Sequence, residues 1–115
     1  MADNQAAPLD LQGLYALYGQ ETTQELLVMC VKEARDLMAQ LVADLDKHDS
    51  KSLSANAHQL KGLAATMTLD ELARLSKDLE LAASQEDWAV IGELQCQLND
   101  KFEGFCAYVS RVMGA

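Results

Sequence analysis

His58 and Lys61 stand three positions apart, and Gly62 follows directly. An unperturbed imidazole titrates near pH 6.5, so around neutral pH its neutral form dominates and one ring nitrogen is free to attack an electrophile. On a helix, a lysine three residues further on can bring its ammonium beside whatever the ring carries. A nucleophile with one cation suits phosphoryl transfer, which needs in-line placement and charge stabilisation more than covalent machinery. Gly62 adds a spatial clue. In a helix interior glycine costs about 1 kcal/mol relative to alanine, and no bend or cap in the pattern accounts for it; close approach of another molecule does. Ser54, Ala55 and Ala65 extend the same low rim, which helps a bulky partner reach the ring.

That reading requires His58 to be exposed, and the helix around it predicts that it is. A helix is expected from Asp49 or Ser50 to about Thr66, with Leu53, Ala57, Leu60, Ala64 and Met67 as its apolar stripe. At 3.6 residues per turn, Leu60 lies about 200° around the wheel from His58. Lys51, Ser54, Ala55, Lys61, Gly62 and Ala65 share the histidine's side.

Other chemistries find little support. His48 falls in the polar Asp46–Ser50 turn and reads as a solvated loop residue. A di-metal helical site would need Glu-x-x-His pairs, but Leu45 and Ala55 occupy the positions three before the two histidines, so no metal site is expected. No glycine-rich phosphate loop or kinase-type nucleotide motif is present, so the chain is not expected to phosphorylate itself from ATP. Use of His58 as a general base would leave it without a second catalytic group. Cys30, Cys96 and Cys106 are too few and odd in number for a disulfide framework and read as free thiols.

The chain has 115 residues, half of them hydrophobic, which fits one domain with a single core. No stretch approaches the roughly 20 apolar residues of a membrane span, and the first residues lack a signal pattern. A cytoplasmic, monomeric protein away from membranes is expected. The net charge of −9 argues against nucleic-acid binding. The charge is uneven: residues 47–77 carry Lys47, Lys51, Lys61, Arg74 and Lys77 against Asp49, Asp70 and Glu71. A positive island on an acidic protein fits a phosphoryl group or a partner's acidic pocket.

With one proline and six glycines, helices are nearly unobstructed. Residues 1–8 read as a flexible tail, and residues 9–115 as a single domain. Leu9, Leu11, Leu14, Leu17 and Tyr18 form a short apolar helix that Gly19 stops. Thr22 and Glu25 form a capping box that opens a long helix with Leu27, Val31, Ala34, Met38, Leu41 and Leu45 in line. Thr68 and Glu71 make a second box, with Met67 and Leu72 as its staple, opening a helix at Leu69 that runs through Leu72, Ser76, Leu79 and Ala83. After the Ser84–Gln85 turn, a last helix aligns Trp88, Ile91, Leu94, Leu98, Phe102, Phe105, Val109 and Val112. The tyrosines and phenylalanines sit on apolar faces and read as core. Strand patterns are missing, and short connections favour antiparallel neighbours. The expected fold is therefore all-α: an antiparallel up-down four-helix bundle with a short extra N-terminal helix.

The run Ala57-His58-Gln59-Leu60-Lys61-Gly62 resembles the A-H-x-L-K-G signature of histidine phosphotransfer (HPt) domains. Leu72, Leu79 and Glu80 fall where that family places L-x-x-x-C-x-x-L-E, with Ser76 in the cysteine position. The likeness spans about residues 9–112. Leu63 and Ala64 replace frequent small polar residues, and Thr68 stands where a glycine is common. The resemblance implies that His58 carries the phosphoryl group on Nε2 and Lys61 stabilises its oxygens. It also implies that Glu80 orients the ring through the inner nitrogen, and that Ser54, Ala55, Gly62 and Ala65 meet the partner. It implies a phosphorelay carrier between receiver domains of a hybrid sensor kinase and of response regulators, with Mg²⁺ held by the receiver and no cofactor bound here. An HPt-like adaptor that binds a receiver without transfer is the alternative.

Overall fold

The computed structural model describes residues 7–114, so the first six residues of the expected tail lie outside the described region. Five helices follow one another: α1 (Leu11–Tyr18), α2 (Gln20–Asp46), α3 (Ser50–Thr66), α4 (Asp70–Ser84) and α5 (Trp88–Val112). Among the described residues there is no strand. Helix α2 packs on α3 and α5, α4 packs on α3 and α5, and α1 lies against α2. No described helix is long and apolar enough to cross a membrane.

The apolar periodicity becomes one continuous core. Leu27, Ala34 and Leu41 of α2, Leu53, Ala57, Leu60 and Ala64 of α3, Leu72, Leu75 and Leu79 of α4, and Ile91, Leu98, Phe102 and Phe105 of α5 are all buried. Each large side chain contributes about 1.5–3 kcal/mol on leaving water. The stripe of α2 departs from expectation at its edges: Val31 and Leu45 are only half-buried, while Thr23, Cys30 and Asp44 are enclosed. Burial, reinforced by Glu33, pushes the Cys30 thiol up to about 12. All three cysteines are free. Phe102 and Phe105 are core as expected. Tyr15 and Tyr108 are half-buried, and Leu17 and Tyr18 are exposed.

Neither expected capping box forms. Helix α2 begins at Gln20, directly after Gly19, which alone joins α1 to α2 at φ 85°, ψ 161°, a region open essentially only to glycine. Thr22 lies inside the helix, and Thr23 instead donates its hydroxyl to the Leu14 carbonyl at 3.0 Å, tying α2 to α1. Helix α4 starts at Asp70 with no side-chain cap. The Thr68 hydroxyl accepts from the Asp10 backbone N–H at 2.8 Å, and Glu71 accepts from Arg74. The caps that do form are aspartates. Asp10, Asp49 and Asp87 accept from the backbone N–H groups of Gly13, Ser52 and Val90.

The three later connections share one geometry. His48, Thr68 and Glu86 each follow a helix by two residues and each has positive φ, at 52°, 57° and 53°. Around each, two backbone N–H groups turn back to the preceding helix: His48 to Leu45 and Asp49 to Asp44, Thr68 to Ala65 and Leu69 to Ala64, Glu86 to Ala83 and Asp87 to Ala82. This is the Schellman arrangement, with a left-handed residue just past the helix end. The residue after it is already the cap of the next helix. Thr68 thus holds the left-handed position rather than a capping box.

Left-handed backbone costs an L-residue about 1–2 kcal/mol, partly offset in glycine by its greater unfolded-state freedom. Glu86→Gly is therefore expected to stabilise the fold by about 0.5–1 kcal/mol despite loss of the exposed Ser50–Glu86 hydrogen bond. Denaturant unfolding measures this, and a lower midpoint would contradict the reading.

Candidate functional site

Helix α3 is oriented by Leu53, Ala57, Leu60 and Ala64, all fully buried. His58 consequently emerges on the opposite side, with 64% of its side chain exposed. Helix α4 runs antiparallel beside it: His58 meets Glu80 in mid-helix, and Ser50 at the start of α3 meets Glu86 just past the end of α4. Helix α4 is in turn oriented by its buried face of Leu72, Leu75, Ser76, Leu79, Ala82 and Ala83. Glu80 lies at the border of that face, half-buried.

Glu80 holds the site together. Its Oε2 lies 3.1 Å from Nδ1 of His58, and its Oε1 lies 3.4 Å from Nζ of Lys61. A carboxylate can only accept, so Nδ1 is the donor in this contact, and in the neutral ring that leaves the Nε2 lone pair free. The contact engages the inner nitrogen and leaves the outer one facing away from Glu80. Lys61 is half-buried in this ion pair, on the same carboxylate as the imidazole.

A groove of about 840 Å³ opens beside the ring between α3 and α4, lined by Lys51, Ser54, Ala55, His58, Glu80 and Ser84 among others. Of the small residues expected to form a rim, Ser54 and Ala55 line this groove. Gly62 and Ala65 are exposed on the other side of His58 and do not. A Cβ built on Gly62 meets nothing within 4 Å, and the same holds for Gly92 and Gly104. No packing inside the chain demands glycine at 62; its position one turn from the exposed imidazole distinguishes it from the other two. The sequence reading missed Ser50, Gln59, Ala83 and Ser84, which complete the groove. Ala83 and Ser84 sit three and four residues beyond Glu80, and that spacing could have found them.

The expected positive island is partly spent on internal pairs. Arg74 bridges Glu71 and Asp78 on the surface of α4, at 2.8 and 3.3 Å, and its hydrogen bond holds the Glu71 carboxyl below its ordinary range. His48 is exposed in its turn as expected, but not free of contacts. Its ring lies 4.3 Å from that of Trp88. No group of three or more His, Cys, Asp or Glu among the described residues is arranged to hold a metal ion.

The family model of the Hpt domain matches residues 25–106, most of the chain. The chain belongs to the Hpt-domain family. It is thus a histidine phosphotransfer protein of phosphorelay signalling. The Hpt fold is also seen in the crystal structure of histidine-containing phosphotransfer protein B (HptB) from Pseudomonas aeruginosa PAO1. That structure matches with a TM-score of 0.84 at 24% sequence identity, covering 96% of this chain and 99% of the other. No curated protein gives a significant match.

Gly62→Ala is expected to raise stability by up to about 1 kcal/mol, since alanine is the better helix former and its methyl group would meet open space. Thermal unfolding measures it. A drop in Tm would reveal an internal role for the glycine.

Proposed function

We propose that the chain accepts a phosphoryl group on Nε2 of His58 from a receiver-domain aspartate of a hybrid sensor kinase and donates it to the aspartate of a response regulator. The observation that carries this reading is the exposed imidazole whose inner nitrogen is engaged by Glu80, with the outer nitrogen left free. A binding-only adaptor would have no use for a ring engaged through its inner nitrogen with the outer one free. Lys61 supplies positive charge to the phosphoryl oxygens and must turn from Glu80, 3.4 Å away, to do so. Ser54 and Ala55 on one side of His58, and Gly62 and Ala65 on the other, form the low surface over which the receiver settles.

The chain acts as a phosphohistidine carrier rather than an enzyme. It has no kinase activity of its own, and the partner's Mg²⁺ and acidic pocket complete the transfer. It needs no bound cofactor and works as a cytoplasmic monomer, without nucleic acid or membrane as partner. The ring of contacts among α2, α3, α4 and α5 and the three short connections support an up-down antiparallel four-helix bundle. Helix α1, which packs on α2, is the extra element.

Mixing the purified chain with a phosphorylated receiver domain is expected to leave an acid-labile, base-stable phosphate on it, and His58→Gln is expected to carry none. Equal labelling of the substituted protein would remove His58 from the role. Gly62→Phe is expected to slow transfer by at least about tenfold, the scale on which misplacement of reacting groups acts, with helical circular dichroism unchanged. Transfer at the original rate would mean that no partner surface closes over this position.

A further inference from the structure

A second groove lies on the side of the bundle away from His58. The first opens in the seam between α3 and α4; this one, of about 560 Å³, opens in the seam between α2 and α5, which shares no helix with it. Its walls are apolar: Met38, Ala39, Val42 and Leu45 from α2, and Phe102 from α5. Val42 is half exposed although it is a branched aliphatic residue in mid-helix. Gly92 opens the α5 rim. It sits inside a helix, and a Cβ built on it meets nothing within 4 Å, so no packing among the described residues asks for glycine there.

The polar groups of this groove are unmatched. Gln95 lines it with only 8% of its surface exposed, and its Oε1 finds no hydrogen-bond partner among the described residues. Buried polar atoms are nearly always bonded, because the hydrogen bond to water given up on burial has to be replaced. Asp100 and Glu103 line the same seam from α5 and form no ion pair among the described residues. Arg35 is the one cation lining the groove, and it is turned elsewhere. Its guanidinium lies 5.3 Å from the Phe102 ring centroid and donates to Sγ of Cys106 at 3.6 Å. The seam thus pairs an apolar slot with acceptors that lack donors.

We propose that the α2–α5 seam is a docking groove for a basic amphipathic helix of a partner protein. Its apolar side chains fill the slot, an N–H donor on the same face meets the Gln95 amide oxygen, and its lysines or arginines pair with Asp100 and Glu103. A turn about the terminal torsion of Gln95, which is a soft one, presents that oxygen to the groove. The groove runs from Arg35 to Leu45 along α2 and from Gly92 to Glu103 along α5, about 15–17 Å in each case, which three turns of helix cover. Charge selects the occupant. A second copy of this chain would bring another net charge of −9 to an acidic rim, whereas a basic helix is attracted to it. A helix seated there leaves His58 uncovered. The proposal draws nothing from the phosphotransfer reading and stands or falls separately.

The experiment uses the full ¹⁵N-labelled chain and synthetic helical peptides of about twelve residues, the length that spans the groove. The peptides carry leucines at helical spacing on one face, a glutamine at the centre of that face and lysines flanking it. Titration followed by amide NMR is expected to show saturable one-to-one binding. The largest shifts should fall at Ala39, Val42, Gly92 and Gln95, with His58 unmoved. Gln95→Leu is expected to weaken binding about tenfold, and so is leucine in place of the peptide's glutamine. The two changes together should restore affinity to within about threefold, the coupling expected of groups in contact. Asp100→Asn combined with Glu103→Gln is expected to weaken binding about threefold, and less at high salt. Val42→Lys, at an exposed position, should block the slot with the core intact, which keeps the test decisive if Gln95→Leu fails to fold. No saturable binding, shifts centred on His58, equal affinity for a peptide with glutamates in place of the lysines, or no recovery in the double substitution would each overturn the proposal. Shifts at the same amides on concentrating the chain alone would give the seam to a second copy, and equal shifts with octylamine would make it a small-amine site; either result also overturns it.

Discussion

The period of one helix governs the site. Leu53, Ala57, Leu60 and Ala64 all reach into the core, and a residue two positions from Leu60 must then point outward. Turning α3 to hide His58 would pull that stripe out of the core, at a cost of several kcal/mol from apolar area alone. The imidazole therefore stays in solvent because the packed interior leaves it nowhere else to go.

Helix position alone would give a mobile surface histidine; the partner on α4 engages its inner nitrogen and gives the ring a defined orientation. That depends on axial register as much as rotation, because Glu80 must arrive level with His58. The connections supply the register. Three turns of the same Schellman form join α2 to α3, α3 to α4 and α4 to α5, each handing over at once to the next helix cap. Contacts between the turns add to this: His48 against Trp88, Ser50 donating to Glu86, and Asp10 donating to Thr68. Each holds a helix end beside a neighbour's end, so little slack remains between α3 and α4 at mid-length.

Electrostatics at the site is local rather than global. The protein carries a net charge of −9, yet the charges beside the imidazole are one carboxylate with one ammonium. Lys61 already has a partner in Glu80, so in the proposed role its stabilisation of a phosphoryl group is reduced by what it gives up there. Such a balance suits a carrier, which must hold a phosphoryl group and then release it. Arg74, the other cation drawn into pairs, is spent on Glu71 and Asp78 at the surface of α4.

Much of this was legible in the residues themselves, because helix period and side-chain chemistry are local. The five helices, the exposure of His58, the lysine one turn on and the mid-helix glycine follow from spacing along one segment. The capping boxes failed because α2 already begins at Gln20, which puts Thr22 inside the helix, and because the Thr68 hydroxyl takes another partner. Tertiary neighbours decided the outcome: the neighbouring Thr23 is claimed by the Leu14 carbonyl, and Thr68 by the Asp10 N–H. The left-handed residues were hidden because histidine, threonine and glutamate do not announce positive φ as glycine does. What only the packed structure decided is that one carboxylate serves both His58 and Lys61. Glu80 lies 22 residues from His58 along the chain, and the distance between two such groups depends on how α3 and α4 seat against each other, which no single helix encodes.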